Sequence, residues 1–235
     1  MNNLYQKLKK YSLEDTVGFE KSDRQFLALE KLYREKLFSD DIYLFLIIAN
    51  ALVCYQLSGS GEDYWEEFSD EVVNKKINNF EDIEKFFVEF LPVSKNNRRL
   101  VDVKSKRIKK IVNNVQLSDI QRLDFEAYYK NMQKLVGNLA IVMNQKTDAK
   151  TIVFAVKMFS YGARNVFSYL EYFPNDIIIP LDNRLEKLYY KYNIHKVTVS
   201  KKEIQNFYNN LSQRLRIPPL HLDSLLWVNY KKFIK

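Results

Sequence analysis

The pattern of apolar and polar positions along the chain predicts a series of helices. Apolar residues recur three and four positions apart after Asp23, after Phe80 and after Thr147, as on one face of a helix. The stretch from Ile42 to Leu57 is apolar nearly all round, so we expect a helix in the core. The whole chain has five glycines and almost no hairpin dipeptides. The pattern therefore predicts an all-helical protein.

Two helix starts carry a capping-box signal. Ser22 and Gln25 have the SxxQ spacing before a helix predicted from about Asp23 to Phe38, and Ser200 and Glu203 have the SxxE spacing before another. In such a box the first side chain accepts a hydrogen bond from the backbone of the third helical residue. On this local pattern Gln25 is a capping residue, which is the ordinary alternative to any role in binding.

The segment that begins at Thr147 places a lysine at a helix start. Thr147 and Asp148 are the predicted N-cap residues, so Lys150 falls in the first turn. A cation there faces the positive end of the helix dipole, which favours the neutral, nucleophilic amine. Phe154 and Lys157 lie on the same helix face by the i, i+4, i+7 rule, and together they can form the wall of a pocket.

A second helix start carries an aspartate. Pro180 ends an apolar run, and Asp182 directly precedes a new amphipathic segment that begins at Asn183, which makes Asp182 an N-cap candidate. Each of these two positions has an ordinary interpretation. A lysine in a first turn is usually solvated, and an aspartate after a proline is usually only a cap.

Both tryptophans and one further aspartate are candidate binding residues. Trp65 follows the glycine-containing loop 58–61, where backbone can approach a ligand closely. Asp223 and Trp227 are four residues apart on a helix predicted to start at Pro219, so they share a face. The ordinary alternatives are core packing for the tryptophans and a favourable charge near a helix N-terminus for the aspartate.

The charge balance points to a polyanionic partner. Lys and Arg number 37 against 29 Asp and Glu, which gives a formal net charge of +8 and a pI of about 9.2. Eight cations between residues 95 and 110 face only one acidic residue, Asp102, and predict contact with phosphates on one basic face, unless that face is simply solvated. The eight are Lys95, Arg98, Arg99, Lys104, Lys106, Arg107, Lys109 and Lys110.

The composition also argues against several classes of protein. One cysteine, Cys54, allows no intrachain disulfide and no four-cysteine cluster, and it favours a reducing environment. His195 and His221 are too few and too far apart in sequence to propose a metal site. The N-terminus does not resemble a signal peptide, and the apolar run 42–55 is shorter than the ~20 residues that span a bilayer. We expect a cytoplasmic, nucleoid-associated monomer with no membrane contact.

Four segments in this order resemble the archaeal 8-oxoguanine DNA glycosylase (AGOG) family, a branch of the helix–hairpin–helix superfamily: LSGSGEDYW, KTIVFAVKM, IPLDNRL and IPPLHLDSLLW. The resemblance extends from about Gln25 to the C-terminus. It implies an all-α, two-lobed fold of the HhH-GPD glycosylase type with the active site between the lobes. Residues 1–235 would form one glycosylase unit, with about 40–150 in one lobe and the N-terminal segment plus 151–235 in the other.

The resemblance also implies an activity, a substrate and site residues. Family members excise 8-oxoguanine from DNA and cleave the strand by β-elimination through a lysine Schiff base, without a metal or organic cofactor. By this comparison Lys150 matches the nucleophilic lysine and Asp182 the catalytic aspartate. The residues that would bind the flipped base are Gln25, Trp65, Asp223 and Trp227, with Phe154 and Lys157 as further candidates on the helix of Lys150.

Two features depart from the wider superfamily. The glycine-rich LPGVG hairpin is replaced by LVGNLAIVMNQKTDAK, and Lys150 and Asp182 are 32 residues apart, farther than in the common branch. The backbone amides that hold a DNA phosphate are therefore left unassigned. The main alternative is a non-catalytic, helical nucleic-acid-binding protein in which the basic face binds and Lys150 and Asp182 have ordinary roles. A small-molecule enzyme is disfavoured, because the sequence has neither a glycine-rich phosphate loop nor a histidine cluster.

Overall fold

The computed structural model describes residues 3–114, 124–193 and 199–235, and this part of the chain contains fourteen α-helices and no strand, which confirms the all-helical prediction. The helices are α1 (Asn3–Leu8), α2 (Leu13–Glu20), α3 (Arg24–Arg34), α4 (Asp40–Val53), α5 (Gly61–Val72), α6 (Phe80–Val93), α7 (Val101–Asn114), α8 (Phe125–Lys130), α9 (Met132–Met143), α10 (Lys150–Phe167), α11 (Asn183–Tyr192), α12 (Lys201–Leu215), α13 (Pro219–Val228) and α14 (Tyr230–Ile234). Within the described ranges no helix is long and apolar enough to cross a membrane.

The two predicted capping boxes have different outcomes. At α12, Ser200 and Glu203 form the predicted box. At α3 the prediction is wrong, because the Ser22 hydroxyl donates to the Phe19 carbonyl at the end of α2, 2.7 Å away. Helix α3 begins at Arg24, so Gln25 is its second residue rather than its third.

The chain forms two compact units, one of residues 24–171 and one of residues 1–23 and 172–235. We call these the central unit and the terminal unit. The central unit includes α10, because α10 packs along α4. The predicted lobe boundaries put this helix with the C-terminal residues instead. The lobe boundaries themselves stay a prediction.

Helix α4 lies in the core of the central unit, as its apolar pattern predicts. Every residue from Ile42 to Val53 is buried, although the helix ends four residues before Leu57. Gly162 of α10 lies against this helix so closely that an added Cβ would be 2.2 Å from Cδ1 of Ile47. Helix α10 is therefore held against the most buried helix of this unit.

The terminal unit has its own core, in which a buried polar contact joins three segments. Nδ1 of His221 in α13 lies 2.7 Å from Oε1 of Glu20 in α2, and both side chains are fully buried. The Phe173 backbone N–H donates to Nε2 of the same ring at 3.1 Å. Because Nε2 is the acceptor, a neutral ring carries its hydrogen on Nδ1 and donates it to Glu20. This contact fixes α13, which carries Asp223 and Trp227.

Candidate active site

Helix α10 begins at Lys150, so the predicted first-turn position of this lysine is confirmed, and its side chain is exposed. The N-cap residue is Ala149, however, so the predicted caps Thr147 and Asp148 are wrong. The preceding helix ends in a left-handed residue, Asn144, and the turn that follows reaches α10 one to two residues later than predicted. An alanine side chain cannot accept a hydrogen bond, so the first turn of α10 receives no cap from its own N-cap side chain.

The predicted face of α10 is observed next to an aromatic cluster. Phe154 is half-buried, and its ring meets that of Trp65 edge-on, with 6.4 Å between the centroids. Lys157 is only 2% exposed, and its Nζ lies 5.7 Å from the centroid of the Tyr161 ring. The structure therefore places an exposed amine, an aromatic ring and a buried amine along one side of α10.

Trp65 is fully buried in α5. Cys54, which follows the last residue of α4, lies close enough to interact with both Trp65 and Lys150. Burial raises the pKa of the Cys54 thiol to about 12, while the Trp65 side chain and the charges of Lys150 and Lys104 act in the opposite direction. The thiol is therefore protonated at neutral pH. These interactions place Trp65 and Lys150 in the same neighbourhood, at the C-terminal end of α4.

Gln25 is brought to the same helices by α3, which packs on both α5 and α10. Its side chain is 3% exposed. The next residue, Phe26, packs edge-on against Tyr161 of α10, with ring centroids 5.4 Å apart. The structure replaces the predicted cap with a buried amide, and such a group requires hydrogen-bond partners.

The basic segment does not form one solvated face. Six of its eight cations are exposed, but Lys104 is fully buried and Arg107 is half-buried. Lys104 donates a hydrogen bond to Asn97, whose own amide donates to the carbonyl of Val53. Burial lowers the pKa of Lys104 to about 8. The prediction of a single phosphate-binding face is wrong for these two residues. Arg107 hydrogen-bonds directly, and Lys104 through Asn97, to backbone carbonyls at the C-terminal end of α4.

In the terminal unit Asp182 is the N-cap of α11, as predicted. Its Oδ1 accepts a hydrogen bond from the Leu185 backbone N–H at 2.9 Å, and the side chain is half-buried. The carbonyl of Leu185 accepts from the Tyr208 hydroxyl at 2.6 Å. Burial raises the pKa of Tyr208, and the nearby charges of Asp182 and Asp223 raise it further. Both aspartates therefore lie near one tyrosine.

Asp223 and Trp227 lie on α13, which starts at Pro219 as predicted. Asp223 is 7% exposed and Trp227 is half-buried. The guanidinium carbon of Arg184 lies 3.6 Å from the centroid of the Trp227 ring, a close cation–π contact. Since Arg184 is two residues after Asp182, this contact links the cap of α11 to the tryptophan of α13.

Sequence reasoning missed Arg184 and Tyr208 as parts of these sites, and it assigned Arg107 only to the basic face. The sequence did contain a signal for the burial of Lys104, because Lys104, Ile108 and Ile111 follow the i, i+4, i+7 pattern of the buried stripe of α7. No comparable pattern indicates the Arg184 contact with Trp227. Among the described residues there is no group of three or more His, Cys, Asp and Glu that could hold a metal ion, and His195 lies outside them.

Comparison with known proteins identifies relatives over nearly the whole chain. A family model described as AGOG, N-glycosylase/DNA lyase, matches residues 5–234. An N-glycosylase/DNA lyase of Methanococcus maripaludis is 41% identical over 208 residues, which are 88% of this chain and 78% of the relative. One of Thermococcus kodakarensis is 41% identical over 215 residues, 88% of this chain and 75% of the relative.

A solved structure has the same fold. It is the 8-oxoguanosine complex of Pa-AGOG, the 8-oxoguanine DNA glycosylase of Pyrobaculum aerophilum, and it matches with a TM-score of 0.81 at 22% identity. The match covers 97% of this chain and 86% of that chain. This similarity shows the helical fold of the family.

Proposed function

The chain belongs to the AGOG family of N-glycosylase/DNA lyases, and we propose that it excises 8-oxoguanine from DNA and cleaves the strand through a Schiff base on Lys150. As a DNA glycosylase and lyase it is a DNA repair enzyme, so the alternative of a non-catalytic nucleic-acid-binding protein is set aside. The proposed Schiff-base mechanism is supported by the exposed position of Lys150 at the start of α10, on the same face as Phe154 and Lys157.

The chemistry of the candidate residues and the relative that was solved with 8-oxoguanosine support 8-oxoguanine as the proposed substrate. A base in a duplex is unreachable while it is stacked, so it must be flipped into a pocket. Trp227 and Phe154 are half-buried rings that can stack on a purine, each contact being worth about 1–3 kcal/mol.

Discrimination from guanine requires a hydrogen-bond acceptor. In 8-oxoguanine N7 carries a hydrogen, whereas in guanine N7 is itself an acceptor. The amide oxygen of Gln25 and the carboxylate of Asp223 are the buried acceptors among the candidate residues. A site that offers an acceptor to N7 rejects guanine strongly, because with guanine two acceptors would face each other.

The proposed reaction proceeds by covalent catalysis. The neutral amine of Lys150 attacks C1′ of the sugar, and the glycosidic bond breaks as the base leaves with the bonding electrons. The carboxylate of Asp182 stabilises the positive charge that develops on the sugar and assists proton transfer. The attached nitrogen then loses a proton, and its lone pair forms the C1′=N bond as the C1′–O4′ bond breaks and O4′ takes up a proton. The resulting imine acidifies the hydrogens at C2′. Loss of one of them forms a C2′–C3′ double bond and expels the 3′ phosphate, which cleaves the strand.

Borohydride trapping tests this proposal directly. The substrate is a duplex with one 8-oxoguanine, and the controls are an undamaged duplex and the variant Lys150→Gln. We expect a covalent protein–DNA adduct only with the wild type and the damaged duplex. If the wild type cleaves the strand but no adduct forms, or if Lys150→Gln is trapped equally well, the lysine assignment is wrong.

A further inference from the structure

Arg107 of α7 makes hydrogen bonds to three other segments of the central unit. Its Nε donates to the carbonyl of Leu52 at 3.0 Å, near the C-terminal end of α4. Its Nη2 donates to Oε1 of Gln145 at 2.9 Å and to Oγ1 of Thr151 at 3.3 Å. The hydroxyl of Thr151 in turn donates to Oε1 of Gln145 at 3.0 Å. One guanidinium thus joins α4, the turn before α10 and the first turn of α10.

We propose that Arg107 is a positioning residue for Lys150, an inference that rests on the proposed lysine chemistry. Thr151 is the neighbour of Lys150 in the first turn of α10. Because the N-cap of α10 is an alanine, that turn is not fixed by a local side-chain cap. Arg107 and Gln145 instead hold this turn by hydrogen bonds to the Thr151 hydroxyl. Through Arg107 the turn is also connected to α4, the most buried helix of the unit.

Arginine suits this role better than lysine. Its planar guanidinium presents several N–H groups in fixed directions, so one side chain can donate to Leu52 and Gln145 at the same time. A lysine ammonium is a compact donor on a flexible stem and does not reproduce that geometry. Burial lowers the pKa of Arg107, and the carbonyl at the negative end of α4 stabilises its charge.

The competing explanation is that Arg107 binds a DNA phosphate, as the basic composition of its segment predicts. The two roles have different consequences. A phosphate contact contributes to affinity, and its loss reduces the salt dependence of binding by about one unit of slope. A positioning residue contributes to the reaction of bound DNA, because a small misplacement of a reacting group can slow the reaction about 100-fold.

The experiment compares Arg107→Met, Arg107→Lys and Thr151→Val with the wild type. Arg34→Met is the matched control, because Arg34 is an exposed arginine of α3 that pairs with Glu30 of its own helix. Two quantities are measured on a duplex with one 8-oxoguanine. One is the single-turnover rate of borohydride trapping at saturating protein, and the other is the dissociation constant at several salt concentrations.

We expect Arg107→Met to lower the saturating trapping rate about 10- to 100-fold, with dissociation constants within about threefold of the wild type and an unchanged salt slope. Arg107→Lys should recover only part of the rate, and Thr151→Val should lose about threefold. The double variant Arg107→Met/Thr151→Val should be no slower than Arg107→Met, because the two side chains act through one link.

Several outcomes would overturn the inference. Weaker binding with a reduced salt slope and a normal saturating rate would make Arg107 a phosphate contact. Full activity of both Arg107→Met and Thr151→Val would remove any positioning role. If Arg107→Met does not fold, Thr151→Val decides the question, since it is nearly isosteric. Failure of the wild type itself to be trapped would instead reject the proposed lysine chemistry.

Discussion

The helix starts at Lys150 and at Asp182 place the two proposed catalytic side chains in similar positions but are fixed in different ways. Asp182 caps its own helix through a hydrogen bond to Leu185, three residues along the chain. The start of α10 has an alanine at the N-cap and is linked instead to Arg107, 44 residues away from Thr151. The comparison shows that one proposed catalytic position is set locally and the other by tertiary contacts.

This difference matters for how substitutions are interpreted. Removing the carboxylate of Asp182 removes a cap and a proposed catalytic group together, so the two effects must be separated by the choice of replacement. Removing the side chain of Lys150 takes away the proposed nucleophile but leaves the Arg107–Thr151 link intact.

Asp182→Asn should lower excision about 100- to 10,000-fold while binding of the lesion duplex stays within about threefold. Asparagine is as good an N-cap as aspartate, so the thermal midpoint should stay near that of the wild type. Single-turnover cleavage, duplex titration and thermal unfolding check these three expectations. Asp182→Ser retains a cap as well. If either variant turns over like the wild type, the role of Asp182 is capping alone.

Trp227→Ala should reduce the preference for 8-oxoguanine over guanine about 10-fold, because without a stacking surface worth about 1–3 kcal/mol the base is held less firmly against the acceptor that recognises the hydrogen on N7. Arg184→Met should have a smaller effect in the same direction, since Arg184 lies against the Trp227 ring at 3.6 Å. The ratio of kcat/KM on the two duplexes measures this preference. Unchanged selectivity in Trp227→Ala would assign the tryptophan to packing.

Ala149→Ser should stabilise the protein by about 0.5–1 kcal/mol, because it supplies the side-chain cap that α10 lacks at its N-cap position. For a chain of this size that corresponds to a rise of about 1–4 °C in Tm. Ser200→Ala is the matched local control, since Ser200 caps α12, and it should lower Tm by a similar amount. A loss of stability in Ala149→Ser would contradict this prediction and would show that a serine cap is incompatible with the hydrogen bonds of Arg107 and Gln145 to Thr151.

The buried Lys104 should give the protein a characteristic pH dependence of stability. Its pKa is about 8 in the folded chain against an ordinary value of 10.5. Between these values the unfolded chain binds a proton that the folded chain has released, so this group makes stability rise with pH. Relative to Lys104→Met, the wild type should gain about 1–2 kcal/mol between pH 7.5 and 10, measured by urea unfolding. A constant difference between the two proteins would contradict this.

The sequence predicted those features that depend on neighbouring residues. The all-helical fold and the buried α4 follow from periodicity, and the box at Ser200 and the cap at Asp182 follow from hydrogen bonds that span three residues. The first-turn position of Lys150 was also correct, although its cap was not. Periodicity and spacing are sufficient here because each of these contacts is encoded within one or two turns of helix.

Only the tertiary structure decided how distant residues are used. Arg107 contacts the carbonyl of Leu52 across 55 positions in sequence, and Arg184 covers the ring of Trp227 across two helices. Both look like ordinary surface cations in the sequence. Their roles depend on which helix end or ring is brought within reach by packing, because a buried carbonyl must find a donor and a buried guanidinium must find acceptors. The sequence therefore determined where the helices and the two proposed catalytic side chains lie, and packing determined which residues hold them.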